Sequence, residues 1–124
     1  KSNVGRITRA VEYINSLDTT VTGSRNGFTP LVLWYAIKTL GYDGFTKRAN
    51  HCVDLAAKAV RIFNKEGIKA WRNEGTVTIV IPRPADEVAH KWQLAVQDDL
   101  AHVMVMPHVT EKDVHELIKD IKTA

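Results

Sequence analysis

Between residues 30 and 40 almost every position is apolar, with Leu31, Val32, Leu33, Trp34, Ile37 and Leu40 in one turn after another. That pattern runs round a helix instead of along one stripe, and a helix apolar on all sides has to be buried on all sides. Thr29 and Pro30 give it a start, a hydroxyl at the N-cap and then proline at the first helical position. Gly41 gives it a stop. A second helix is expected from Thr46 to Glu66. There Ala49, Cys52, Val53, Ala56, Val60 and Phe63 recur at helical spacing and make a single stripe. Gly67 ends it.

Downstream the period changes to two. "IKAWR" (68–72) and "TVTIVIP" (76–82) read as strands, joined by the turn signal "NEG". In the second strand Val77, Ile79 and Ile81 share one face, and Thr76 and Thr78 the other. Pro82 and Pro84 end the pair. "ADEVAHKW" predicts a short helix and "AHVMVM" a third strand stopped by Pro107. Thr110 caps a last helix whose buried face is Val114, Leu117, Ile118 and Ile121. The order α-β-β-α-β-α implies a small α+β unit with helices on one face of a short sheet. At the other end, Ser2 predicts a cap for a short helix through "NVGRITRAV", and "EYINSLDTTVTGS" reads as extended. There is no internal repeat and no low-complexity segment.

A chain of 124 residues can build one modest core. It has difficulty enclosing a helix that is apolar all round, so a larger body or a subunit interface is expected to cover residues 30–40. A start at Lys1 instead of Met fits a fragment or a processed chain. Composition adds exclusions. The net charge of +3 comes from 17 basic and 14 acidic residues spread along the chain, which favours a solvated surface over a nucleic-acid patch. One cysteine, Cys52, allows no internal disulfide and suits a reducing compartment, so a cytoplasmic location is expected. No apolar run approaches the roughly 18 residues of a membrane span, and no signal-peptide pattern is visible.

Candidate chemistry concentrates in "GSRNG" (23–27). A loop between two glycines lets backbone amides approach a ligand, and the following helix start is positive. Arg25 adds a fork of donors suited to a carboxylate or phosphate, and Ser24 and Asn26 add hydrogen bonds. The alternative is a capped loop whose Arg25 pairs with a structural carboxylate. Arg72, at a strand end, could reach a substrate carboxylate, or could simply lay its stem over Trp71. His51, His90, His102, His108 and His115 lack metal-ligand spacing, and Cys52 sits on the apolar stripe, so no metal is expected and Cys52 is read as packing. His51 and His115 are read as surface residues. Neither a phosphate-loop signature nor a nucleophile elbow occurs.

"LDTTVTGSRNGFTPLVLWYAIKTLGYDGF", "AWRNEGTVTIVIPRP" and "KWQLAVQDDLAHVMVMPHVT" resemble, in order, segments of the pyridoxal-phosphate-dependent group II amino-acid decarboxylases. Within that group they are similar to the branch of bacterial histidine decarboxylase and plant serine decarboxylase. The resemblance implies an α/β fold of the aspartate-aminotransferase type (fold type I). It places residues 1–45 at the end of the large cofactor domain, including an interface helix, and 46–124 in the small α+β C-terminal domain. It implies pyridoxal 5'-phosphate as cofactor, L-histidine or L-serine as substrate, release of the amine and carbon dioxide, and a homodimer. The family's Schiff-base lysine stands in a Ser-x-His-Lys block that no lysine of this sequence matches, so an inactive fragment is implied, with a non-catalytic regulatory module as the alternative. In such a dimer Ser24, Arg25 and Asn26 would approach the neighbouring subunit's cofactor and substrate. Phe28 stands where the family usually has histidine, which bears on substrate binding.

Overall fold

The computed structural model describes residues 26–124 and two short strands before them. The chain forms two compact units, Lys1–Thr46 and Lys47–Ala124. In the first, β1 (Arg9–Val11) and β2 (Ser16–Asp18) form an antiparallel pair with Arg9 opposite Asp18 and Val11 opposite Ser16. The extended reading holds at 16–18. The helix expected through residue 11 does not hold at 9–11, because strand pairing with a segment further along the chain overrides local propensity.

Helix α1 runs from Phe28 to Lys65 and contains one non-helical residue, Gly41, with φ 61° and ψ −174°. This left-handed backbone is costly for any residue with a Cβ, which is why glycine stands at the break. Gly41 therefore interrupts the helix as its sequence suggests, but helical structure resumes at once instead of at residue 46. The start also differs by a turn. The Asn26 side-chain oxygen accepts from Phe28 N at 3.1 Å, Thr29 N at 2.8 Å and the Thr29 hydroxyl at 3.0 Å. Asn26 is the capping side chain, and Thr29 lies inside the first turn.

The second unit holds the core. Cys52, Leu55, Ala56, Ala59 and Phe63 form the buried stripe of α1. Cys52, Ala56 and Phe63 match expectation, Ala49 is exposed, and Leu55 and Ala59 widen the stripe. The helix ends in a Schellman arrangement: Ile68 N donates to Phe63 O, Gly67 N donates to Asn64 O, and Gly67 supplies the positive φ. The Asn64 amide ties this end to Ala70 through both of its backbone groups.

The sheet has three antiparallel strands in the order β3-β5-β4: β3 (Thr78–Pro82), β4 (Ala95–Gln97) and β5 (Leu100–Met104). "IKAWR" contributes only a single bridge, Trp71 to Val80. The strand β4 is additional to those expected. It joins β5 through a two-residue turn in which Asp98 takes φ 51°. Arg83 holds that turn, donating from its backbone N to Asp99 O and from its guanidinium to Asp98 O.

Ile79, Ile81, Val96, Ala101 and Val103 point to one side and meet the buried residues of three helices. These are α1, α2 (Asp86–Lys91) and α3 (Glu111–Thr123). Helices on one face of a short sheet is the arrangement expected. Thr110 caps α3 as expected, within a capping box: its side chain accepts from Asp113 N, and Asp113 accepts from Thr110 N. Val114, Leu117 and Ile118 are buried, and Ile121 packs at the edge.

Candidate functional site

The loop that sequence singles out is described from Asn26 onward; Ser24 and Arg25 lie outside the described residues. A helix N-terminus offers unpaired N–H groups, and these make it attractive to anions. Here Asn26 accepts the N–H of Phe28 and of Thr29, and Pro30 has none to give. An anion at this helix start would therefore rely on side chains more than on the first backbone amides. Since its oxygen is engaged, Asn26 has its NH2 to offer a ligand. Phe28 is 70% exposed, the first of a run that includes Leu31, Leu33, Trp34, Tyr35 and Ile37, all at least half exposed.

Arg72 has a structural task. Its guanidinium donates to Thr76 O at 2.7 Å and Asn73 O at 3.3 Å, closing the loop in which Gly75 takes φ 72°. Thr76 also donates its hydroxyl to Asn73 O and Thr78 O. Cys52 is buried among apolar neighbours, as read from its place on the stripe. His51 and His115 are exposed, also as read. No three His, Cys, Asp or Glu side chains come together among the described residues.

The electrostatics of the second unit are ion pairs that hold α3 to its neighbours. Lys58 of α1 donates to Glu111, and Lys122 donates to Glu66, just past the end of α1. Lys91 and the Trp92 indole both donate to Asp120, each at 2.7 Å. Each acid is held below its ordinary pKa: Glu66 first by the hydrogen bond from Lys122, Glu111 by that from Lys58, and Asp120 by that from Lys91 and then Trp92. Asp113 is lowered by Thr110. A cavity of about 410 Å³ opens between α2 and α3, lined by Lys91, Trp92, Glu116, Lys119 and Asp120. Sequence reasoning missed this cluster because its members lie some 28 residues apart along the chain.

Every lysine among the described residues is exposed.

No protein-family model matches the chain. Individual proteins do. It is 43% identical over 121 residues to histidine decarboxylase of Mesorhizobium japonicum, covering 98% of this chain and 32% of that protein. To serine decarboxylase 3 of Oryza sativa subsp. japonica it is 40% identical over 111 residues, covering 89% of this chain and 25% of the relative. Its structure superposes on L-methionine decarboxylase from Streptomyces sp. 590 with a TM-score of 0.68 and 31% identity, over 90% of this chain and 25% of the larger one. The chain is homologous to one segment of these decarboxylases. That segment spans about a third of the histidine decarboxylase and a quarter of the other two. The methionine decarboxylase structures include internal and external aldimine forms, which are states of a pyridoxal-phosphate enzyme. The similarity supports an α/β decarboxylase fold. No helix among the described residues is long and apolar enough to cross a membrane.

Proposed function

We propose that this chain works as part of a pyridoxal-phosphate-dependent amino-acid decarboxylase that releases carbon dioxide from L-histidine or L-serine. The observation that carries the proposal is the 43% identity to a histidine decarboxylase across 98% of the chain. In this reading no lysine of this chain attaches the cofactor, and no chemical step is assigned to these residues. In this reading residues 1–45 end the cofactor domain, 46–124 form the small domain, and the working unit is a homodimer.

The tasks left to this chain are binding, orientation and exclusion of water. Arg25 is the candidate to hold a substrate carboxylate or cofactor phosphate. Asn26 would add its amide NH2, and Ser24 its hydroxyl. Phe28 supplies an apolar surface at the same helix start, where it bears on substrate choice. Arg72 is the least committed of the set, since its guanidinium already closes its own loop.

The test is a chimera in which this chain replaces the matching segment of the Mesorhizobium japonicum histidine decarboxylase. Cofactor-dependent release of carbon dioxide from histidine or serine is expected. In parallel, the isolated chain mixed with pyridoxal phosphate should develop no imine absorbance; a clear imine band abolished by a single lysine substitution would overturn the reading. The exposed apolar residues 31–37 favour one second reading, an interaction module that regulates an active decarboxylase. An inactive chimera, together with binding of this chain to the intact relative and a change in its rate, would establish that instead.

A further inference from the structure

The cavity of about 410 Å³ between α2 and α3 takes no part in the function proposed above. Among the described residues its lining is Trp92 with Lys91, Glu116, Lys119 and Asp120. Positions 116, 119 and 120 are three and four apart on α3, so the helix sets them on one face. The Asp120 carboxylate is the half-buried member, with a side chain 25% exposed against 63% for Lys91. The Lys91 ammonium and the Trp92 indole N–H donate to the same oxygen of it, Oδ2, each at 2.7 Å. The Lys91 nitrogen also stands over the Trp92 ring, 5.9 Å from its centre. An ammonium at the wall of this cavity is therefore held between a carboxylate and an aromatic face, two groups that attract organic cations.

We propose that this cavity binds a small primary amine, whose ammonium takes the place held by that of Lys91. Lys91 is the stand-in: its nitrogen marks the position, and its long exposed stem lets it turn out into water. An ammonium has three N–H donors. On Asp120 it can bond Oδ2 and also Oδ1, which accepts from neither Lys91 nor Trp92. Glu116 adds a second carboxylate, 3.5 Å from the ammonium of Lys112. With Lys91 turned outward, the carboxylates of Glu116 and Asp120 outnumber the one remaining cation of the lining, Lys119, which favours a cation over a simple anion. A flat body attached to the amine can stack on Trp92. The volume lies within the range of small-molecule sites, roughly 300–1,000 Å³. Only the source of the amine rests on the function proposed above. Decarboxylation of L-histidine or L-serine removes the carboxylate and leaves an amine, and substrate and product both carry the ammonium that this site would hold.

The experiment follows the Trp92 indole N–H by nuclear magnetic resonance in the 124-residue chain, with the resonance assigned by its loss in Trp92→Phe. Histamine, ethanolamine and L-histidine are titrated at constant pH and ionic strength, with sodium acetate as the anion control. A saturable shift with histamine at millimolar concentration is expected, a weaker one with ethanolamine, which has no ring, and none with acetate. Lys91→Ala removes the tethered competitor and should tighten histamine binding about tenfold. Glu116→Gln leaves the bonds to Asp120 in place and should weaken it several-fold. No saturable shift in the native chain would overturn the proposal, and so would an equal response to acetate. Unchanged affinity in Lys91→Ala would refute the exchange of one ammonium for another. The remaining arm distinguishes the sources. Tighter binding of histamine than of L-histidine assigns the site to the product amine. The reverse, lost in Lys119→Ala, assigns it to the amino acid with its carboxylate on Lys119, and both results retain the ammonium site. The readout needs no turnover, so an inactive chimera would refute the decarboxylase reading and leave this result standing.

Discussion

The two stretches of α1 on either side of Gly41 invite comparison. Both are rich in apolar residues and both are helical, yet Leu31 and Trp34 are each 56% exposed while Ala59 and Phe63 are 0% exposed. The difference lies in arrangement. Beyond Gly41 the apolar residues gather on one side, and alanines at 56 and 59 let the helix lie close to the sheet. Before Gly41 they encircle the axis, so no single neighbouring surface can cover them. A stripe can be satisfied within a small unit; a ring calls for cover on several sides.

The sharpest way to break this comparison is to truncate one aromatic residue in each stretch. Phe63→Ala should cost about 3–5 kcal/mol, because a filled site in the core becomes a cavity. Urea unfolding followed by circular dichroism will measure it. A loss under 1 kcal/mol would mean that the stripe is not the centre of the core.

Acid comes next. Glu66, Glu111, Asp113 and Asp120 all have folded pKa values below their unfolded ones. Such groups stabilise the fold at neutral pH, and that contribution disappears as pH falls below about 4.5 and through the folded values. The second unit should therefore melt at a clearly lower temperature at pH 3 than at pH 7. Added salt should weaken the share contributed by Lys58, Lys91 and Lys122. A melting temperature independent of pH over this interval would show that the ion pairs contribute nothing.

Smaller still is Thr110→Ala, which removes the capping hydroxyl of α3 and should cost about 1 kcal/mol. Restoration by Thr110→Ser would tie the loss to the cap. The smallest effect is expected from Trp34→Ala, the counterpart of Phe63→Ala. It should change the stability of the isolated chain by no more than about 0.5 kcal/mol. It should also reduce self-association measured by sedimentation. A large loss would mean that Trp34 is already packed.

Much of the second unit was legible because its signals are local. Thr110 with an acid three residues on, Gly67 at the end of α1 and alternation through Val77, Ile79 and Ile81 each depend on a few neighbours. The strand β4 was not, since three residues carry little pattern and its turn uses Asp98 where glycine would have announced it. Thr29 looked like the cap because its hydroxyl precedes proline, but Asn26 reaches the same amides from further back. The reading of residues 9–11 as helix failed because their partner lies in β2. Of the candidate loop's donors, only Asn26 lies among the described residues, where it caps α1; Ser24 and Arg25 lie outside them, and the loop's relation to a cofactor rests on resemblance. The bonds of Arg72 to Thr76 and Asn73 were invisible, since nothing in "WRN" shows which way a guanidinium turns.

The ties from α3 to α1 and to the turn after it join residues more than fifty positions apart, Lys58 to Glu111 and Glu66 to Lys122. During synthesis, then, the Leu55–Phe63 stretch leaves the ribosome well before the helix that shields it. At an elongation rate of about 5–20 residues per second, the nascent polypeptide shows a greasy flank for some seconds. Chaperones that recognise such flanks have that interval in which to act, and a codon-level pause upstream of residue 111 would lengthen it.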